Sequence, residues 1–577
     1  MDKEKVAAIL DEIGTLLALQ GENPFRCNAY HNAARAILQL EEDIGRVVRE
    51  GRLKDVPGIG STLQEKITTL VTTGRLPFYE ELQAKTPAGL LELLKLPSLG
   101  PKKVKALYEE LGVDSPERLK SACEEGKVAS LKGFGAKTQQ KILEGLEFLN
   151  RMGQRVRLDE ALALATALIE RVREFKGVIR YELCGSLRRR RETIADIDIL
   201  VSSTKPKLIM DQFVELPGIV RVLAKGDTRS SVEVDRGVRG LTMQADLRVV
   251  TDEQFPFAQH YFTGSKEHNI AMRARAQQYG LKLNEYELSG PKKRIACKEE
   301  ADIFAALDLD YIPPELREMT GEIEAAAEHR LPVLIEEADL RGTFHCHTNW
   351  SDGHNSLEEM VQRARQIGLE YFGIGDHSQS LTVARGLTPE RIKLQHAEID
   401  KLQKKFKDIR ILKGTECDIL PDGSLDFSDE VLSTFDYVVA SVHTHFNLSE
   451  SEMTARIIKA LSHPKVTMLG HATGRLLLQR DGYKVDLEAV LQAAKKHNKM
   501  IEINAHPRRL DLDWIHCKRA KALGIPLVIN PDAHSTADIS LLSFGVSVAR
   551  RGWLEKENVF NTKPVKQVIQ ELKRRMG

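Results

Sequence analysis

The sequence predicts a multidomain protein of mixed α+β and α/β class, with a helical region first, a mixed sheet in the centre and a parallel α/β unit last. Three observations support this prediction. Three glycine turns, each between two helix-like segments, recur within residues 1–150. From about residue 155, strand-like runs alternate with helical segments. After residue 339, seven short β-rich runs alternate with helical segments, the pattern of a parallel barrel or a doubly wound sheet.

The composition excludes several classes of protein. At 577 residues the chain can form about three to five folding units, and 42% hydrophobic with 29% charged residues is typical of soluble globular proteins. The start of the chain has no cleavable apolar stretch, and no apolar run approaches the ~20 residues of a membrane helix. The seven cysteines include no C-x-x-C pair, which argues against a disulfide scaffold or a zinc ribbon. We therefore expect a soluble, cytoplasmic protein.

Charge and histidine are unevenly distributed. The totals of 84 basic and 83 acidic residues nearly cancel, but residues 151–300 carry 27 basic and 21 acidic side chains, and residues 301–340 carry 2 and 11. A neutral total therefore does not exclude a nucleic-acid partner. Of 17 histidines, 13 lie at or after His345. Such enrichment indicates a metal site or a pH-tuned region.

The glycine turns at residues 56–60, 96–100 and 131–135 predict contacts with a nucleic-acid backbone. Glycine permits a tight turn, and the exposed N–H groups that open the following helix suit a phosphate. Lysines lie in or after the turns, which favours binding to the phosphate backbone without recognition of the base sequence. The turns resemble helix-hairpin-helix motifs. The expected DNA-binding residues are Gly58, Gly60, Gly100, Lys102, Lys103, Gly133, Gly135 and Lys137.

Three acidic residues predict a two-metal centre in the central unit. Asp196 and Asp198 lie two apart in a strand-like run, so both carboxylates project from one face. Asp246 lies in a later run that could pair beside the first. Such acids can hold two divalent cations about 4 Å apart, which suits nucleotidyl transfer. Upstream, a Gly185-Ser186 turn followed by Arg188 and Arg189 suits a triphosphate.

The segments GSLRRRRETIADIDIL, ADLRVV and YFTGSKEHN resemble the nucleotidyltransferase core, or palm, of family X DNA polymerases, and NPFRCNAYHNAA with VPGIG resembles their small N-terminal DNA-binding domain. The resemblance implies that Asp196, Asp198 and Asp246 are catalytic metal ligands that use Mg²⁺ or Mn²⁺. It implies gapped or primed double-stranded DNA and dNTPs as partners of a monomer, and it aligns Lys66 with the Schiff-base lysine of a 5′-deoxyribose phosphate lyase. The implied nucleotide-binding residues are Gly185, Ser186, Arg188, Arg189, Tyr261, Phe262, Gly264 and Asn269.

The C-terminal runs end repeatedly in residue types that bind metals. Because functional groups of parallel barrels gather at the carboxyl ends of the strands, these side chains should converge. Six histidines and three carboxylates can hold two or three Mn²⁺ or Zn²⁺ ions, with Glu416 or Asp352 as a bridge. The nine predicted ligands are His345, His347, Asp352, His377, Glu416, His443, His471, Asp532 and His534.

The motifs HCH…D, DHS, SVH, GHATGR and PDAH resemble the polymerase-and-histidinol-phosphatase (PHP) domain. This resemblance implies a distorted (β/α)7 barrel that hydrolyses phosphate esters at a trinuclear metal centre. The activity we expect is 3′→5′ exonuclease, with cleavage at abasic sites at the same centre. Arg475 is a candidate for holding the scissile phosphate. The candidate substrate contacts outside the nine ligands are His354, His445 and His506.

The preferred interpretation is therefore a DNA repair polymerase that carries its own nuclease. Two alternatives remain: a phosphoesterase recruited to DNA without polymerase activity, and a non-catalytic DNA-binding scaffold. The predicted domains are a DNA-binding domain (1–85), a second helix-hairpin-helix subdomain (86–152), the palm (153–252), a nucleotide-binding subdomain (253–317), an acidic linker (318–338) and the PHP domain (339–577).

Overall fold

The computed structural model describes the chain except residues 1–2, 39, 41–43, 95, 97–98, 153–154, 238–240, 292–293 and 577. It divides into two compact units, residues 1–153 and 154–577. Among the described residues, the helices lack the combination of length and hydropathy needed to cross a bilayer.

The first unit is helical and contains two apolar cores, one built from residues 6–82 and one mainly from residues 90–146. The glycine turns precede α4, α7 and α9, where Gly58 and Gly133 adopt φ values of +85° and +88° that favour glycine. Residues 97 and 98 of the second turn lie outside the described residues. The helices are α1 (Lys3–Gln20), α2 (Pro24–Leu38), α3 (Ile44–Arg49), α4 (Ser61–Thr73), α5 (Pro77–Lys85), α6 (Ala88–Leu93), α7 (Pro101–Leu111), α8 (Pro116–Glu124) and α9 (Gly135–Met152).

The second unit opens with a five-stranded mixed sheet of order β2-β4-β7-β6-β5. Strands β4 and β7 pair in parallel and the other neighbours pair antiparallel, with helices α10 and α12 covering the apolar face. The elements are β1 (Val156–Arg157), α10 (Leu158–Val172), β2 (Val178–Leu183), α11 (Gly185–Arg188), β3 (Thr193–Ile194), β4 (Asp196–Ser203), α12 (Pro206–Val214), β5 (Ile219–Lys225), β6 (Arg229–Asp235) and β7 (Thr242–Val250).

A smaller subdomain follows the sheet and has its own core around Phe304 and Met272. The acidic segment 318–338 is folded against its neighbours: Ile323 packs in this core and Ile335 packs in the core of the C-terminal domain. The elements are α13 (Phe255–Thr263), α14 (Lys266–Gln278), β8 (Lys282–Leu283), β9 (Leu288–Ser289), β10 (Arg294–Ile295), α15 (Glu300–Ala305) and α16 (Glu322–Ala327).

The C-terminal domain contains two parallel sheets, β11-β12-β13 and β14-β15-β16-β17-β18. Bridges between His377 and Glu416 and between Cys346 and Ala533 join the sheets into a ring. The ring has seven strands when β13 and β14 are counted as one strand interrupted at Lys413. The predicted fold class, with helical, mixed-sheet and PHP domains, is therefore confirmed. The elements are β11 (Gly342–Cys346), α17 (Leu357–Gln366), β12 (Tyr371–Ile374), α18 (Pro389–Lys405), β13 (Arg410–Leu412), β14 (Gly414–Asp418), α19 (Asp429–Leu432), β15 (Tyr437–Ser441), α20 (Glu450–Ser462), β16 (Met468–Leu469), α21 (Leu487–Lys496), β17 (Met500–Asn504), α22 (Trp514–Leu523), β18 (Leu527–Asn530), α23 (Leu542–Arg551) and α24 (Val565–Arg575).

Candidate metal centres

Three carboxylates meet on the central sheet. Asp198 on β4 lies directly opposite Asp246 on β7, and Asp196 lies two residues earlier on the same face. Oxygens of Asp196, Asp198 and Asp246 all lie within 4.8 Å of one another. Burial raises the pKa of Asp198 to about 7, and the negative charges of Asp196 and Asp246 add to the rise. Three crowded acids whose charges repel one another fit a site for divalent cations.

The turn before β4 brings its backbone against these acids. Gly185 has φ of +64°, and a Cβ atom there would lie 2.1 Å from Asp198 Oδ2, so only glycine fits. Ser186 follows it and is partly buried. Arg188 is paired inside the protein: its Nη atoms donate to Thr263 Oγ1 (2.7 Å) and to both oxygens of Glu300 (3.1 and 2.9 Å). Its predicted contact with a triphosphate stays a prediction.

Arg189 lies closer to the carboxylates. Its positive charge lowers the pKa of Asp198, although burial and the neighbouring acids dominate that pKa. The Arg189 side chain donates to Glu318 Oε1 (3.2 Å) and to the carbonyl of Thr263, and the residue is only 7% exposed. Arg189 therefore sits in a fixed position at the edge of the carboxylate centre.

The other predicted nucleotide-binding residues lie on α13 and α14. The Tyr261 and Phe262 rings pack edge to face with centroids 5.1 Å apart. Gly264 has φ of +71°, and a Cβ atom there would lie 2.9 Å from Arg189 Nη1. Asn269 is nearly buried and donates from Nδ2 to the carbonyl of Tyr261 at 2.7 Å. Their contacts with a nucleotide stay predictions.

In the helical unit, Lys66 on α4 has an unusual environment. Its Nζ donates to the Tyr30 hydroxyl at 2.6 Å and lies 3.2 Å from the centroid of the Phe78 ring. Burial lowers the pKa of Lys66, and the charge of Arg26 lowers it further. The glycines of the three turns are exposed, as are Lys102 and Lys137, while Lys103 is partly buried near the Phe134 ring.

All nine predicted ligands of the C-terminal domain converge at one end of the barrel. Glu416 lies at the centre of the set. Its Oε1 is 2.8 Å from His471 Nε2 and 3.2 Å from His443 Nε2. Its Oε2 is 2.9 Å from His377 Nδ1. Burial raises the pKa of Glu416, but the surrounding histidines outweigh this and hold the pKa well below its usual value.

Two other carboxylates complete the set. Asp352 Oδ2 lies 3.5 Å from His377 Nε2 and 3.4 Å from His534 Nε2. Asp532 Oδ1 lies 3.2 Å from His347 Nε2 and 3.7 Å from His345 Nε2. Seven of the nine predicted ligands line a cavity of about 270 Å³, and His345 and His347 are fully buried behind this wall. The described walls do not include the candidate contacts His354, His445 and His506.

Unpaired ring nitrogens and backbone strain indicate that the cluster is built for ions. Among the described residues, His345 Nε2 and both ring nitrogens of His347 are buried and make no hydrogen bond of normal geometry, although carboxylate oxygens lie 3.2–3.7 Å away. Such atoms are costly to bury unless they bind something. His345 and Asp532 also adopt φ values of +56° and +51°, a strain of about 1–3 kcal/mol per residue that is typical of functional sites. The donor set fits divalent metal ions.

Two further carboxylates, which the sequence analysis missed, orient the ligands from behind. Glu502 on β17 is fully buried and accepts from His345 Nδ1 at 2.5 Å and from the backbone N–H of His471 at 3.0 Å. Asp418 on β14 accepts from His443 Nδ1 at 2.6 Å. Each contact leaves the Nε2 atom of its histidine facing the cluster. The sequence did contain a signal for both residues, because each is an acid within a largely apolar strand run.

Arg475, the candidate for holding a scissile phosphate, is paired inside the protein and does not line the cavity, so that role stays a prediction. Its guanidinium donates to the carbonyls of Arg509 (2.9 Å) and Leu510 and to Glu192 of the central sheet domain at 2.7 Å. These partners hold it away from the cavity. Arg509 instead lines the cavity, with its Nε 3.5 Å from Asp532 Oδ2, and it was not singled out from the sequence.

The fold and the two centres define a nucleotidyltransferase joined to a PHP-type phosphoesterase. Family models agree: helix-hairpin-helix domain (1–76), SAM-like helix-hairpin-helix tandem (90–147), DNA polymerase beta thumb (258–318) and PHP domain (343–506). The chain is 40% identical, over the full length of both proteins, to the DNA polymerase/3′-5′ exonuclease PolX of Bacillus subtilis (strain 168). The chain belongs to the bacterial PolX family.

Shorter proteins also match about two fifths of the chain. A probable phosphatase of Thermoanaerobacter sp. (strain X514) is 29% identical over 40% of this chain and 96% of its own length. A probable phosphatase of Clostridium acetobutylicum is 28% identical over 40% of this chain and 93% of its own length.

Proposed function

We propose that the protein is a cytoplasmic DNA-directed DNA polymerase that fills short gaps during repair and removes 3′ nucleotides with its PHP domain. The observation that carries this proposal is that both donor sets are complete. Ligand atoms of the three palm acids lie within 4.8 Å of one another. Seven of the nine predicted PHP ligands line one cavity, and the other two, His345 and His347, contact Glu416 and Asp532 in its wall. A scaffold would not need either set, and a phosphoesterase recruited to DNA would not need the first.

In the palm, two bound Mg²⁺ or Mn²⁺ ions would activate a primer hydroxyl and neutralise a triphosphate. The contribution of the chain is to aim three carboxylates from two paired strands at one point. The Gly185-Ser186 turn offers backbone N–H groups beside Asp198, and Arg189 adds a positive charge at the same edge. This arrangement supports in-line nucleotidyl transfer from a dNTP.

In the PHP domain, two or three bound Mn²⁺ or Zn²⁺ ions would activate water and polarise the phosphodiester. Glu416 is the residue best placed to bridge ions, because histidines approach both of its oxygens. Arg509 is the cation of the cavity wall that could pair with the phosphate of the terminal nucleotide. Cleavage at abasic sites would use the same groups.

One gel tests the proposed function. A 5′-labelled primer on a gapped duplex is incubated with the full chain and Mn²⁺, with and without dNTPs. We expect elongation to the end of the gap when dNTPs are present and stepwise shortening when they are absent. Shortening without any elongation under the same conditions would contradict the polymerase assignment and favour the recruited phosphoesterase.

A lyase reaction at Lys66 is a second candidate activity. The observation that favours it is the lowered pKa of an amine held by Tyr30 and Phe78, since a neutral amine is the form that attacks a sugar aldehyde. Borohydride trapping of the full chain on a 5′-deoxyribose phosphate end tests it. A covalent adduct that disappears in Lys66→Arg supports the lyase, and an unchanged adduct contradicts the assignment of Lys66.

The raised pKa of Asp198 predicts a pH-dependent demand for Mg²⁺. Below about pH 7 the carboxyl holds a proton that a cation must displace, and above that pH the oxygens are free. The Mg²⁺ concentration that gives half-maximal primer extension should therefore fall as pH rises from 6 to 8. Initial rates measured over a Mg²⁺ series at each pH check this. A half-maximal concentration that does not change with pH would contradict it.

Glu502→Gln should weaken metal binding in the PHP domain. Glu502 Oε2 accepts hydrogen bonds from His345 Nδ1 and Asn530 Nδ2. In the variant an NH₂ group replaces one of the two carboxylate oxygens, so the imidazole of His345 loses its fixed orientation. The Mn²⁺ concentration for half-maximal 3′ degradation should rise about 10- to 100-fold. Glu488→Gln, at an exposed acid on α21 of the same domain, is the matched control. Equal Mn²⁺ dependence in the two variants would refute this role of Glu502.

A further inference from the structure

We propose that Arg551, a residue of the PHP domain, is a positioning residue for nucleotide binding by the palm. It acts through Arg189 and the Gly185-Ser186 turn, and it does not itself touch the nucleotide. The inference rests on the proposed polymerase function. It predicts that one side chain of the nuclease domain tunes the affinity of the other active site for dNTPs.

Arg551 reaches out of its own domain. It lies at the end of α23 and is 2% exposed, and its guanidinium packs 5.0 Å from the centroid of the Trp514 ring. Its Nη1 donates to the backbone carbonyl of Arg189 at 2.7 Å and to Glu318 Oε1 at 3.2 Å. A buried cation therefore caps the end of α11, the short helix that begins at Gly185.

Glu318 joins the two arginines. The same oxygen, Oε1, accepts from Arg189 Nε at 3.2 Å and from Arg551 Nη1 at 3.2 Å. The three side chains are at most 12% exposed, and in such surroundings charge-assisted hydrogen bonds are stronger than in water. Removal of Arg551 leaves the carbonyl of Arg189 without this donor and leaves Glu318 with one cation in place of two.

A second arginine of the PHP domain holds the same palm segment further along. Arg475 Nη2 lies 2.7 Å from Glu192 Oε1, so residues 189–192 are fixed at both ends by the PHP domain. This segment leads directly into Asp196 on β4. Phe544 at the start of α23 packs against both the palm core and the barrel core, which makes the contact between the two domains partly apolar.

The position of residues 189–192 matters because the Gly185-Ser186 turn just before them packs tightly against the palm acids. Gly185 touches Asp198 so closely that a Cβ atom there would overlap the carboxylate. A small shift of Arg189 therefore moves the turn relative to the metal-binding acids. We expect loss of Arg551 to act mainly on ground-state binding of the triphosphate.

The test compares Arg551→Met with the wild-type full chain in single-nucleotide primer extension over a dNTP series. We expect KM for the dNTP to rise about tenfold with kcat within about twofold, because the displaced turn and Arg189 lose the equivalent of one charge-assisted hydrogen bond to the triphosphate. The rate of 3′ degradation without dNTPs should equal that of wild type. This second rate is an internal control, because a misfolded PHP domain would lose it.

Arg550→Met is the matched control variant. Arg550 is the preceding residue on α23, and it donates from Nε to Glu315 at 2.7 Å and from Nη1 to the carbonyl of Ile335 at 3.0 Å. The Arg550→Met variant therefore loses hydrogen bonds of the same kind from the same helix, but none of them involves Arg189. We expect its KM for dNTP to match the wild type.

Three outcomes would overturn the inference: an unchanged KM in Arg551→Met, an equal rise in Arg550→Met, or a rise accompanied by an equal loss of 3′ degradation. If Arg551→Met does not fold, Glu318→Gln probes the same contacts from the other side. It should also raise KM with kcat preserved, and an unchanged KM would overturn the inference. A wild-type chain that fails to extend primers would instead defeat the proposed function itself.

Discussion

Asp198→Asn should reduce primer extension by about a thousandfold or more. The change removes one of three carboxylates whose oxygens lie within 4.8 Å of one another. Asp198 is also the acid that the Gly185-Ser186 turn packs against and that lies opposite Asp246 on β7. Metal ions at such a site supply several kcal/mol of charge stabilisation, and a loss of about 4 kcal/mol corresponds to roughly a thousandfold in rate. Single-turnover extension of a primer with saturating dNTP measures the effect.

Two controls separate this loss from unfolding. The raised pKa of Asp198 reflects burial and repulsion by its neighbours, so the metal-free variant should unfold at a temperature equal to or higher than that of wild type. Asp227→Asn, at an exposed acid between β5 and β6, should leave extension unchanged. Extension by Asp198→Asn at more than about a tenth of the wild-type rate would contradict the assigned role.

Joint substitution of His345 and His347 by alanine should abolish 3′ degradation and spare primer extension. His347 approaches Asp352 and Asp532, and His345 approaches Glu416, so the pair contacts all three carboxylates of the cluster. Loss of both imidazoles removes members of two candidate metal-binding groups, one with Asp532 and one with Asp352, His377 and His534. We expect degradation to fall below detection, at least about a thousandfold, because metal-assisted hydrolysis has no substitute in the cavity.

The readout is a 3′-degradation time course with Mn²⁺, together with primer extension by the same preparation. His497→Ala, at the end of α21 and outside the cluster, is the matched control and should degrade DNA at the wild-type rate. Continued degradation by the double variant would show that the hydrolytic site lies elsewhere. Loss of extension in the double variant would show that the palm depends on an intact metal cluster.

The sequence predicted most of the C-terminal domain because the rule that applies there is simple. Seven β-rich runs became the seven strands of the ring, and a ligand type at the end of a run lies at the shared rim of parallel strands. The same logic placed Asp196 and Asp246 together, since a D-x-D strand beside a second acidic strand puts the carboxylates on one face. The β5–β6 hairpin was missed, because its polar residues obscure the apolar pattern.

Features that depend on distant pairing could not be predicted. Arg475 follows a metal ligand and looked suited to a phosphate, but its partner Glu192 lies 283 positions earlier in the sequence. Arg188 sits in a basic run that looked suited to a triphosphate, but Glu300 pairs with it from another subdomain. Local spacing gives the identity of the ligands, whereas only tertiary packing decides which cations stay available.

The central claim is that the chain holds two separate cation centres, one on the palm acids and one on the PHP ligands. Anomalous scattering from crystals of the full chain with Mn²⁺, primed DNA and a non-hydrolysable dNTP tests it directly. The account predicts manganese within bonding distance of Asp196, Asp198 and Asp246, and a second group of peaks around Glu416. Manganese confined to the PHP cavity, with the palm acids bare beside a bound nucleotide, would contradict it.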